Sequence, residues 1–171
     1  WRGLESGPQG AGRIALYFRE RFSALAPRPS RAAGALADKI REALATRGAV
    51  FFHDLARIVG GFPHDVLSAL WDLVWAGEVS NDTLLPLRSL ARGGEPDRKR
   101  GVRISRVLPG SEGRFSLLHY LDVSETERRL TLVERLLLRH GVLVREAIKA
   151  EGITGGFASI YEVLKAMEDS G

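Results

Sequence analysis

Apolar positions in this chain fall into short helical runs broken by glycine, and the densest run is Val66 to Trp75. Val66, Leu67, Leu70, Trp71, Leu73, Val74 and Trp75 cover more than one face of a helix, so most of its circumference is predicted to be buried. Asp65 and Asp72 are the charged residues between Pro63 and Ala76. The run stops at Gly77 and passes at once into a short polar strand, Glu78-Val79-Ser80, and the turn Asn81-Asp82-Thr83. A helix that reads DNA from such a position displays Arg, Lys, Asn or Gln to base edges. This one does not.

The same punctuation predicts the other elements. Residues 1–26 read as a strand near Trp1, a glycine-rich tip from Gly7 to Gly12, and a strand over Arg13 to Phe18. Pro27-Arg28-Pro29 is a linker. Ser30 is placed to cap a helix running to about Thr46. Ala49 to Phe52 form a brief strand, and His53 to Val59 a short helix. Gly60-Gly61-Phe62-Pro63 is a turn whose proline opens the third helix. Glu78–Ser80 and Arg114–Leu118 form two strands separated by a long basic loop. Ser124 and Glu127 have capping-box spacing at the start of a helix that ends near His140. A short helix over Arg145–Ala150 and another over Phe157–Glu168 follow.

The chain also echoes itself. Gly12-Arg13-Ile14-Ala15-Leu16 returns as Gly113-Arg114-Phe115-Ser116-Leu117, and Arg47–Leu55 returns as Arg139–Ala147. In the third helices Val66, Leu70 and Leu73 fall opposite Ile160, Leu164 and Met167. Such repetition predicts a tandem array of one small module. The expected fold class is therefore α+β, mainly α with small β wings, as tandem winged-helix modules. Residues 1–28 would be the wing of a preceding module plus linker, residues 29–121 a complete module with a long basic wing, and residues 122–171 the helical part of a following one.

Composition narrows the possibilities. The chain has 171 residues and no cysteine, which excludes disulfide frameworks and thiolate metal sites. No run of about 18 apolar residues is present to span a membrane. The first residues lack a methionine and do not read as a signal peptide, so the chain is expected to be a piece of a longer, cytoplasmic protein. The net charge of +4 is unevenly spread. From Arg88 to Arg114 eight basic residues stand against Glu95, Asp97 and Glu112, a net of +5, so the remainder is slightly acidic. That segment also carries Gly93-Gly94, Pro96, Gly101, Pro109-Gly110 and Gly113, the composition of a mobile loop.

Candidate chemistry is sparse. There is no phosphate-binding Gly-x-x-x-x-Gly-Lys-Ser/Thr loop and no Asp-Glu-x-His box, so the sequence carries no ATPase motor. His53, His64, His119 and His140 show no zinc-ligand spacing, and no metal site is expected. Acid pairs such as Glu125/Glu127 sit at helix ends, and no acid, base and nucleophile belong together, so no catalytic residue is assigned. Trp71 and Trp75, four apart, read as core packing rather than a base-stacking platform. Asn81 and Asp82 read as turn residues bonding their own backbone. Arg128-Arg129 and Arg135–Arg139 read as solvent-face charges, and His53 as a cap or surface residue. Arg88, Arg98, Lys99, Arg100, Arg103, Arg106 and Arg114 read as a phosphate clamp, because nearly all the excess charge collects at one wing.

Ala69–Thr83 with Pro86-Leu87-Arg88 resembles the winged-helix region of Lhr-type large superfamily 2 DNA helicases, beyond their helicase core. Gly48–Phe52, Gly113–Leu117 and Gly155–Leu164 resemble it too, in the family's order. The resemblance implies a parent that uses ATP and Mg to move 3′ to 5′ on single-stranded DNA and is linked to DNA repair. It also implies a likeness in build to a class of bacterial DNA glycosylases. This chain would then be an accessory DNA-binding region without ATP or any other cofactor of its own. Its partners would be single-stranded or duplex DNA and other domains of the same helicase. The alternative is an interaction or oligomerisation scaffold of winged helices. A winged-helix transcription regulator ranks last, since neither third helix has a basic, polar reading face.

Overall fold

The computed structural model of the chain describes residues 1–7, 12–91 and 108–170. They form two compact units: Trp1–Leu16 with Arg28–His119, and Tyr17–Pro27 with Tyr120–Gly171.

The first unit opens on an antiparallel hairpin of β1 (Arg2–Ser6) and β2 (Gly12–Ala15). After α1 (Phe22–Leu25), which belongs to the second unit, it resumes with α2 (Ala35–Arg47), β3 (Val50–Phe51), α3 (Phe52–Val59) and α4 (Pro63–Trp75). It ends with β4 (Val79–Asn81), α5 (Leu85–Ala91) and β5 (Arg114–Leu117). The last strand enters between the other two, giving an antiparallel sheet of order β3-β5-β4. Three helices backed by such a sheet make a winged helix, an α+β fold. Its core joins Ile40 and Leu44 of α2, Leu55 of α3, Val66, Leu70, Leu73 and Val74 of α4, and Val79 and Phe115 of the sheet.

The predicted burial of α4 is present: Val66, Leu67, Leu70, Trp71, Leu73 and Val74 are all buried. Part of that burial comes from the hairpin. A Cβ on Gly3 would stand 2.4 Å from the Val74 carbonyl oxygen, and one on Gly12 would stand 2.4 Å from the Trp75 ring. The hairpin backbone therefore lies directly against the end of α4, and only glycine permits that approach. Trp1 reinforces it. Its indole N–H donates to the Thr83 carbonyl at 2.9 Å, and its carbonyl accepts from the Ser80 hydroxyl at 2.5 Å.

Several local expectations change. Ser30 does not cap α2, which begins five residues later at Ala35 behind Gly34. Ser30 instead donates its N–H to the Ala76 carbonyl at 3.0 Å. The strap from residue 30 to 34 is held outside the helix by Glu78, whose carboxylate accepts the Ala32 N–H at 2.7 Å, and by Arg41, which donates to the Ala32 carbonyl. The loop between the wing strands is not irregular throughout, since α5 occupies its start. Residues 1–28, expected as one wing with its linker, divide between the two units after Leu16.

The second unit contains α1, α6 (Glu125–His140), α7 (Arg145–Ala150) and α8 (Gly156–Asp169) around Val133, Leu136, Ile148 and Ile160. Ser124 caps α6, its hydroxyl accepting the Glu127 N–H at 3.2 Å. Arg128 is not a solvent-face charge. Its guanidinium donates to the carbonyls of Ser23 (2.6 Å) and Ala26 (2.8 Å), tying down the end of α1, where carbonyls lack helical partners. Phe22 of α1 packs between Tyr17 and Tyr120, with ring centroids 5.6 and 4.8 Å away. Val142, which echoes Val50 of β3, is exposed, and among the described residues no strand is formed over 142–144.

Candidate nucleic-acid interface

The wing is built from its base upward. Asn81 closes β4 and is buried; its amide donates to the Glu112 carbonyl at 2.8 Å, while its side-chain oxygen accepts the Thr83 N–H at 2.9 Å. That turn bond is the role expected for a turn asparagine. Asp82 reaches across to the opposite strand. One carboxylate oxygen accepts the Arg114 N–H at 2.8 Å and the other accepts the Arg114 guanidinium, also at 2.8 Å. These hydrogen bonds, the backbone one first, hold the Asp82 carboxyl below its ordinary range, against a smaller opposing effect of burial.

A second set of bonds joins α5 to the residues just before β5. The Ser89 hydroxyl accepts the Gly110 N–H at 2.7 Å and lies 2.9 Å from the Glu112 carboxylate, which accepts the same N–H at 3.0 Å. The Trp71 indole N–H donates to the Gly110 carbonyl at 3.0 Å. Gly110 has φ +88°, and a Cβ there would stand 2.9 Å from both Leu90 and Trp71. The position therefore needs glycine for its backbone angle and for its space. Trp71 is thus a core residue with a structural hydrogen bond. It packs against Trp75 at 5.3 Å and edge-on to Phe115 at 6.5 Å.

The seven basic residues expected to form the clamp divide in two. Arg98, Lys99, Arg100, Arg103 and Arg106 lie outside the described residues. Arg88 is exposed on α5, and Arg114 is about half exposed on β5, oriented by Asp82. Along the chain they flank the point where the described residues break off at Ala91 and resume at Leu108. The Ser89, Gly110 and Glu112 network that fixes this point was not foreseen from sequence. Its signal was the glycine at residue 110 and a glutamate two residues on, in a stretch read for its charge and for the composition of a mobile loop. His53 is a surface residue, 87% exposed by its side chain.

Elsewhere several charges pair with one another. Arg129 meets Glu125 one turn away, and Arg139 and His140 both meet Glu151 at 2.8 Å. Among the described residues no helix is long and apolar enough to cross a membrane.

Fold and wing together define a winged-helix protein. Residues 122–171 match the family model described as "Large helicase-related protein, winged-helix domain". The chain is 38% identical over 151 residues to a protein of Mycolicibacterium smegmatis named "Lhr helicase/ probable uracil glycosylase", covering 77% of this chain. It is 34% identical over 199 residues to the "Lhr helicase/uracil glycosylase" of Escherichia coli, covering all of this chain. The chain belongs to the Lhr-type large helicases, in their winged-helix region. It spans 10% and 13% of the length of those two relatives.

Proposed function

We propose that this chain is an accessory DNA-binding region of an ATP-dependent DNA helicase, gripping nucleic acid through phosphates at the wing of its first unit. The observation that carries the reading is the hairpin over α4. A helix in this position ordinarily reads base edges, yet here its apolar faces are buried, its C-terminal end lies against Gly3 and Gly12, and its exposed residues include Asp65 and Asp72 but no Arg or Lys. Binding then falls to the wing, where residues 88–114 carry a net +5. Arg98, Lys99, Arg100, Arg103 and Arg106 supply the charge, with Arg88 and Arg114 at the base. Phosphate contacts of this kind position a strand or duplex and carry little sequence information.

In this reading the parent is a cytoplasmic enzyme that holds ATP and Mg in other domains and moves 3′ to 5′ along DNA. The glycosylase part of the relatives' names supports a role in DNA repair. The second unit is a further module of the same tandem array. Protein contact is the second reading, favoured by the way α4 buries itself against a hairpin, and it applies to the helical faces rather than the wing.

The test is binding of labelled single-stranded and duplex DNA by fluorescence anisotropy across a salt series. Affinity should fall steeply with salt and be alike for unrelated sequences. Replacing Arg98, Lys99, Arg100 and Arg103 with Ala should weaken it and reduce the log–log slope by about 0.9 per lost contact on duplex, or about 0.7 on single strands. Unchanged affinity in that variant would make the loop a solvated insertion and leave the scaffold reading.

A further inference from the structure

The outer face of the wing sheet carries a feature that phosphate binding does not use. Val50 and Phe115 point into the core, so strand alternation puts their neighbours Phe51 and Arg114, paired across β3 and β5, on the opposite face. Phe51 is 56% exposed there, although phenylalanine ordinarily buries its ring. Directly paired residues have Cβ atoms about 5 Å apart, and the Arg114 guanidinium, held by Asp82 on the β4 side, leaves about half of its side chain exposed to a phosphate on the same face. Beside the ring opens a cleft of about 630 Å³ lined by Phe51, Phe52, Ala56, Pro63 and Leu108, with Asp54 among its polar groups.

We infer that this cleft takes an unpaired nucleobase, stacked on Phe51, from a strand whose phosphate meets Arg114. The inference rests on the DNA-binding reading above and adds a preference within it. The cleft's volume lies within the range of small-ligand sites, about 300–1,000 Å³. A base has an apolar face that stacks on aromatic rings whatever its identity, and a duplex hides that face. Charge is complementary: phosphates bring negative charge to a wing whose segment from Arg88 to Arg114 is net positive. The two carboxylates in the lining do not oppose this. Glu112 is engaged with Gly110 and Ser89, and Asp54 is paired with Arg57 at 2.9 Å. A base edge carries N–H donors, for which the Asp54 carboxylate is an acceptor.

The experiment uses the 171-residue chain and three labelled probes in anisotropy titrations: an oligothymidine strand, a strand of the same length with abasic sites, and a duplex. The two single strands carry the same phosphates and differ in bases. The wild-type chain should bind oligothymidine about five- to a hundred-fold more tightly than the abasic strand. Phe51→Leu keeps an apolar side chain without an aromatic face. It should bring both single strands to the abasic affinity and leave duplex affinity unchanged, while Phe51→Trp restores the preference. Equal binding of both single strands by the wild type, or a preference that survives in Phe51→Leu, overturns the base site. Steep salt dependence in that case leaves the phosphate-gripping reading standing. Absence of binding to all three probes at low salt sinks both.

Discussion

Glu78 shows how one side chain joins three parts of the first unit. It precedes β4, accepts the Arg41 guanidinium through both oxygens at 2.5 and 2.9 Å, and holds the Ala32 N–H. Both partners are mostly buried, at 14% and 16% side-chain exposure. Burial pushes the Glu78 carboxyl up, but the bonds from Arg41 and Ala32 and the charges of Arg41 and Arg31 together hold it below its ordinary range. A depressed folded-state value means the stabilisation is complete above the unfolded carboxyl value, about 4.3, and is lost as pH falls through the lower folded value. Glu78→Gln should leave Arg41 without its counter-charge and cost about 2–4 kcal/mol at pH 7, somewhat less than a fully buried pair. Thermal melts between pH 7 and pH 3 should show a shallower acid loss in the variant than in the wild type. Asp82 and Glu151, whose carboxyls are also depressed by arginine partners, leave a residual slope in both. A wild-type melt that ignores pH down to 3 contradicts this account.

The hairpin on α4 is the element that decides what the third helix is free to do. Gly3→Val would drive a branched side chain into the Val74 carbonyl and the Trp75 ring. The hairpin should lift, at a cost of about 1–3 kcal/mol, with Trp75 moving toward water and its fluorescence shifting to the red. An unshifted spectrum and unchanged melting would mean the hairpin contributes nothing to that face. Sequence foretold the buried α4, the wing strands and the capped α6, because each is written in local periodicity or in one capping pair. It also foretold the hairpin, but not its destination. The contact of Gly3 with Val74 joins residues far apart in sequence, and two glycines announce a close approach without naming the surface approached. The same limit hid Arg128, whose partners Ser23 and Ala26 lie about a hundred positions away. Ser30 misled for a related reason: its capping chemistry is sound locally, yet Glu78 and Arg41 compete for the neighbouring backbone.

At the scale of the whole chain the core is double. Among the described residues the first unit buries sixteen apolar side chains in one cluster, while the second relies on Val133, Leu136, Ile148 and Ile160 with partly buried neighbours. A small core of that kind has few contacts to lose before it opens. All three tryptophans, Trp1, Trp71 and Trp75, belong to the first unit, so indole fluorescence reports on it alone. Helical circular dichroism reports on both. Ile148 is fully buried in the second core, and Ile148→Ala should cost about 2–5 kcal/mol there. In urea, the dichroism transition of this variant should acquire an early phase while the fluorescence midpoint stays where it is in the wild type. Leu70→Ala, in the first core, should do the reverse and move the fluorescence midpoint. Should Ile148→Ala shift both signals together, the two units unfold as one cooperative block. The wing of the first could then not be studied apart from the second. Two separate transitions would instead let the second unit melt without loosening the wing, whose base is fixed by Ser89, Gly110 and Glu112 within the first unit.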